Sequence, residues 1–209
     1  DFEKREGLLF VGGFAHPPNA DAVLWFAREI YPKIREKLEV PFYIVGSKVT
    51  EEIQALEQPG NGIIVKGFVS EEELSELYRT CRIVVVPLRY GAGVKGKVIE
   101  ALYNVVTTSI GAEGIAEAES VMYIKDAPEE FAEETVRLYQ NPEALRELSR
   151  KTQNYIRRYY SVDAAWSEVE EDFTIEVKGV PRNGGDAESG PPGKGGPDSF
   201  ICSSQYYDT

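Results

Sequence analysis

Four β-branched residues, Ile83-Val84-Val85-Val86, run into Pro87 and then into a turn carrying Gly91, Gly93 and Gly96. The run reads as a buried strand, Pro87 as its stop, and the residues from about Lys97, with Glu100 in the first turns, as a helix. No other stretch constrains the chain as much. Small residues let the backbone approach an anion, and the free N–H groups and dipole of a helix N-terminus favour negative charge. Arg89, Lys95 and Lys97 add three cations to this stretch of a chain whose formal net charge is -12. That local reversal of sign points to a diphosphate ligand.

The overall charge argues against a general nucleic-acid or anionic-membrane binder. The 209 residues, 42% hydrophobic and 28% charged, suit one soluble α/β domain with extras. No apolar run approaches the roughly 20 residues of a membrane span. The opening Asp1-Phe2-Glu3-Lys4-Arg5-Glu6 is charged, unlike a secretory signal, and lacks an initiator Met. A cytoplasmic piece of a longer protein is therefore expected. Cys81 and Cys202 are expected to stay unbridged in a reduced compartment. His16 is the only histidine, which leaves no set of ligands for a structural zinc site.

Along the chain, apolar runs alternate with helical spacing. Strands are expected at Leu8–Val11, Phe42–Val45, Ile63–Val65, Ile83–Val86, Val105–Thr108 and Val121–Ile124. A helix with Asn19 as N-cap spans Ala20–Leu38, with Val23, Phe26, Ala27, Ile30, Ile34 and Leu38 on one face and Pro32 kinking or splitting it. A short helix covers Glu51–Leu56, and Ser70 with Glu73 forms a capping box for the next. Ala127–Tyr139 and Glu143–Tyr159 are amphipathic and separated by Pro142. The acidic start of the former suits the helix dipole and implies no paired-carboxylate chemistry. Trp25 and Trp166 read as packing residues.

This alternation gives an α/β fold: a doubly wound, parallel, Rossmann-like sheet of about six strands. Right-handed crossovers put every strand's C-terminal end on one rim, where open α/β sheets bind ligands. Gly12-Gly13, Gly46, Gly67-Phe68 and the Arg89–Gly96 turn all fall there. His16 and Lys48 sit in rim loops as well, and Gly111-Ala112-Glu113-Gly114 follows the fifth strand.

Three segments together resemble a known family: Phe10-Val11-Gly12-Gly13-Phe14, Gly67 to Tyr78 (GFVSEEELSELY), and Pro87 to Leu102 (PLRYGAGVKGKVIEAL). They are similar to the C-terminal, donor-binding domain of group-1 (family-4) glycosyltransferases, over roughly Gly7 to Tyr160. The resemblance implies half of a GT-B fold. It also implies binding of a nucleoside-diphosphate sugar, and transfer with retention to an acceptor held mainly by an N-terminal domain that lies outside this chain. Neither a metal nor another cofactor is implied, and membrane association would come only through the missing part. Glu100 matches the second glutamate of the family's E-x7-E motif, which binds the donor ribose; a carboxylate accepts two bonds from a vicinal diol. Lys95 matches the turn that meets the diphosphate, and Gly93 and Val94 offer backbone N–H groups. Gly12 and Gly13 form the glycine loop on the other side, and Phe68 and Val69 match the loop holding the base. Lys95 and Arg89 are the candidate catalytic cations, stabilising charge on the departing diphosphate.

The chain departs from the pattern at three places. Ala92 stands where the first glutamate of the motif falls, the loop Ala15-His16-Pro17-Pro18-Asn19 lacks the usual cations, and Tyr103-Asn104-Val105-Val106 lacks a Gly-x-Pro turn. A GT-B nucleotide-sugar epimerase and a noncatalytic nucleotide-binding module are the alternatives. A receiver-like module would want acidic strand ends where Gly12-Gly13 and Gly67-Phe68 stand. Residues 1–177 form the expected nucleotide-sugar-binding domain. Residues 178–209, rich in Gly and Pro between Gly179 and Asp198, form a tail that is expected to be disordered or loosely docked.

Overall fold

The computed structural model describes residues 4–91 and 104–159. The expected helix from Lys97, with Gly93, Val94, Lys95 and Glu100, lies outside the described residues. So do the tail, Trp166 and Cys202.

Among the described residues, six strands form one parallel sheet in the order β3-β2-β1-β4-β5-β6. They are β1 (Leu8–Val11), β2 (Phe42–Val45), β3 (Ile63–Gly67), β4 (Ile83–Val86), β5 (Val105–Thr107) and β6 (Tyr123–Ile124). The helices are α1 (Pro17–Trp25), α2 (Tyr31–Arg35), α3 (Glu51–Gln54), α4 (Glu71–Thr80), α5 (Pro128–Tyr139) and α6 (Pro142–Tyr159). The central strands β1 and β4 are buried along nearly their whole length, as their uninterrupted apolar runs require. Strand order reverses between them, which makes the gap between their C-terminal ends the topological switch point.

The start of the first helix is corrected, and its expected break at Pro32 is found. Asn19 is not its N-cap. The helix starts at Pro17 with His16 as the capping residue, because proline's fixed φ and missing N–H suit a first turn. Asn19 is instead buried, and its Nδ2 donates to the Gly13 carbonyl at 2.9 Å. Further on, Pro32 has no N–H for the Arg28 carbonyl, and the helix widens into a π-turn at Phe26–Ile30 before α2. The expected apolar face survives this break, with Val23, Phe26, Ala27, Ile30 and Ile34 all buried. Phe26 lies 4.7 Å from Phe42 and 5.8 Å from Phe131, ring centre to ring centre, which ties the helix to β2 and α5. Truncating such a ring costs about 3–5 kcal/mol.

The other boundaries follow local chemistry. Ser70 accepts from the Glu73 N–H at 3.2 Å, but the Glu73 carboxylate turns to Lys66 at 2.8 Å, so only half of the capping box forms. Helix α3 ends at Gln54, short of Leu56. Strand β6 is shorter than expected, because a 3-10 turn at Ala118–Ser120 consumes the approach to it. Strand β5 begins at Val105 without a Gly-x-Pro turn. Asn104 anchors the entry: its carbonyl accepts from Val84 at 2.9 Å, and its side chain donates to the Arg82 carbonyl at 3.2 Å. Cys81 is buried and free, and burial pushes its thiol up to about 12. Among the described residues, no helix is long and apolar enough to cross a membrane.

Candidate donor site at the switch point

The rim loops are held by backbone contacts at close range. The Gly12 N–H donates to the Val45 carbonyl and the Phe14 N–H to the Ser47 carbonyl, each at 2.9 Å, which laces the β1 loop to the β2 loop. Gly46 is obligatory in this lacing, since a Cβ there would lie 1.7 Å from the Gly12 carbonyl oxygen. On the other side, Thr107 Oγ1 donates to the Val86 carbonyl at 2.9 Å, and Thr108 Oγ1 bonds the Leu88 carbonyl. These bonds fix the exit of β4.

The loop between β1 and α1 has few donors left for an anion. Pro17 and Pro18 have no N–H, and the Asn19 N–H is spent on the His16 carbonyl at 3.0 Å. The His16 N–H points to the Gly13 carbonyl at 3.3 Å. Only the Gly13 and Ala15 N–H groups of this loop make no hydrogen bond among the described residues. His16 is exposed at the rim, and no Lys or Arg stands in the loop.

The loop after β4 is the opposite case. Arg89 forms a two-point ion pair with Asp21 of α1, Nε donating to Oδ2 at 2.9 Å and Nη2 to Oδ1. Its guanidinium lies over the Trp25 ring, 5.4 Å from the centre. The Asp21 hydrogen bond holds the Arg89 charge above the ordinary arginine value. The Arg89 side chain is 48% exposed and that of Asp21 22%, so the pair faces solvent on the arginine side. Sequence reasoning placed Arg89 at the rim but missed Asp21 and gave Trp25 only a packing role. Asp21 and Arg89 stand 68 positions apart in the chain, and nothing in the sequence signals their contact.

At the end of β3, Phe68 is 83% exposed, an uncovered aromatic ring at the edge of the rim, and Val69 packs partly against the core. Lys48, beyond Gly46, is exposed with φ +57°, and Glu113 is exposed after β5. Among the described residues, no cluster of three or more His, Cys, Asp or Glu is placed to hold a metal ion. Grooves elsewhere, one along α6 by Glu147 and Arg150 and one beside Tyr31 and Arg35, lie away from the switch point.

The sequence pattern of the family described as "Glycosyl transferases group 1" matches residues 5–141. The chain belongs to this family. A relative described as an uncharacterised 44.6 kDa protein in the cps region of Klebsiella pneumoniae is 28% identical over 173 residues, 78% of this chain and 44% of that protein. The fold is similar to that of a point mutant of TarM from S. aureus, solved with fondaparinux, α-GlcNAc-glycerol and UDP. There the TM-score is 0.65 and the identity 18%, over 81% of this chain and 36% of TarM. It is also similar to the pneumococcal O-GlcNAc transferase GtfA, solved with UDP and GlcNAc, with TM-score 0.59 and 17% identity over 81% of this chain and 36% of GtfA. The glycosyltransferase chain thus spans less than half the length of these relatives. Its parallel, Rossmann-like sheet matches half of a GT-B fold.

Proposed function

We propose that this chain is the donor-binding domain of a retaining glycosyltransferase, which transfers a sugar from a nucleoside-diphosphate sugar to an acceptor held by an N-terminal domain. The observation that carries the reading is the switch point itself. In a member of the glycosyltransferase family, the β1 and β4 ends meet there, with glycines on one side and a fixed arginine on the other. Open α/β sheets bind nucleotides in this crevice. UDP, present in the TarM and GtfA structures, is the first donor nucleotide to test.

In this reading the diphosphate lies across the crevice. The Gly13 and Ala15 N–H groups face it from the β1 side, and Arg89, with Lys95, from the β4 side. The base rests by Phe68 and Val69, and Glu100 accepts from the ribose hydroxyls. As the glycosidic bond breaks, negative charge builds on the leaving diphosphate and positive charge on the sugar ring. Arg89 and Lys95 meet that charge without reorganising, which is where such a site gains rate. No metal takes part in this scheme.

The test is calorimetric titration of the chain with UDP, GDP and ADP beside a Glu100→Ala variant. Single-site binding of one diphosphate, weakened about 10–100-fold by the loss of a charged hydrogen-bond acceptor, is the expected result. Binding that is indifferent to Glu100, or absent with the fold intact by circular dichroism, would count against the reading.

A further inference from the structure

The loop after β1 offers a diphosphate two backbone amides and no fixed cation. Arg89, in the loop after β4, pairs with the helix that follows this β1 loop, and one carboxylate decides where its guanidinium sits. We infer that Asp21 is a positioning residue for donor binding, holding Arg89 as a preorganised clamp for the diphosphate. The inference rests on the donor-site reading above.

Three features carry it. First, the geometry leaves the arginine usable. A guanidinium has five N–H donors, and the pairing with Asp21 takes one on Nε and one on Nη2, leaving Nη1 and the second Nη2 hydrogen for an anion. Second, the pair is oriented. Asp21 is the less exposed partner, and Trp25, one turn further along α1, lies under the guanidinium, so the arginine is held from two sides and open on another. An arginine free in solution carries about 2 kcal/mol of rotamer entropy, and one already fixed loses less of it on binding. Third, the pair spans the switch point, joining the helix after β1 to the loop after β4. The helix whose first two positions lack amides thus contributes a carboxylate that orients a cation in their place.

The sign of the effect makes the inference testable. If Asp21 acted only as a nearby negative charge, removing it would strengthen anion binding. If it positions Arg89, removing it weakens diphosphate binding although the site becomes more positive. The experiment compares Asp21→Asn, Arg89→Ala and the double variant by calorimetry, using the diphosphate that binds the parent chain best and its monophosphate. Asp21→Asn is expected to weaken diphosphate binding about 5–10-fold, roughly one charge-assisted contact, with a smaller loss for the monophosphate. It should add nothing in the Arg89→Ala background, since coupled residues are not additive. A purely structural strut would lower thermal stability without moving the diphosphate-to-monophosphate ratio. Glu52→Gln, which removes the exposed Arg28–Glu52 pair at 2.8 Å, is the control expected to leave affinity unchanged. Unchanged or tighter diphosphate binding by Asp21→Asn, or additive losses in the double variant, would overturn the inference. If diphosphate binding responds to Glu100→Ala but not to Asp21→Asn, the donor site stands and only the role of Asp21 falls. If no diphosphate binds the parent chain, both readings fall together.

Discussion

The loops after β1 and after β4 leave the same rim from neighbouring strands and solve opposite problems. The β1 loop is rigid and nearly neutral: glycines laced to the β2 loop, two prolines opening α1, and two amides left for a ligand. The β4 loop carries charge on a side chain, with Arg89 fixed by Asp21 and Trp25. A Rossmann-like site ordinarily places its anion at the first helix N-terminus. Here Pro17-Pro18 removes two of the donors that such a helix presents. In the proposed donor site, a preorganised guanidinium does electrostatically what a row of amides does in such a helix.

The largest expected effect comes from breaking the β1 side mechanically. Gly46→Ala drives a Cβ into the Gly12 carbonyl, and backbone cannot yield as a side-chain tip does. A loss of about 3 kcal/mol or more in chemical unfolding is expected, with donor binding lost alongside. Next comes a direct contrast between the loops. Arg89→Ala should weaken diphosphate binding about 10–100-fold, while His16→Ala on the opposite loop should change it less than about 2-fold. Equal losses would erase the asymmetry. A third experiment gives the amides back: Pro17→Ala with Pro18→Ala should tighten diphosphate binding about 2–5-fold, as each restored N–H adds a modest hydrogen bond. The smallest expected effect is with pH. Asp21 holds the Arg89 charge above its ordinary range, so its cationic form persists through neutrality and is lost only in strong alkali. Affinity for a nucleoside-diphosphate sugar, measured by titration, should therefore stay flat from about pH 6 to 8. A steady fall across that window would assign the charge to an imidazole instead.

Much of this was legible in the sequence. The buried runs at Leu8–Val11, Phe42–Val45 and Ile83–Val86 were read to the residue, because a strand covered on both faces has no polar residue to blur its limits. The first helix was read too simply. Asn19 looks like a cap by residue type, and only the fold shows its side chain buried against the Gly13 carbonyl, with the proline pair taking the first turn. At the rim, Gly12-Gly13 and Arg89 stand where spacing and charge put them. Asp21 did not, since an acidic residue on an amphipathic helix looks like any solvated carboxylate until the β4 loop folds over it.

The most direct test of a diphosphate held between the β1 and β4 loops is the response of individual N–H groups to its binding. In a nitrogen-proton correlation spectrum of the chain titrated with UDP, GDP or ADP, the account predicts that the backbone signals of Gly13, Ala15 and Phe68 and the Nε–H signal of Arg89 shift together and saturate at one concentration. Shifts confined to the groove along α6, or an Arg89 signal that stays still while a diphosphate binds elsewhere, would contradict it.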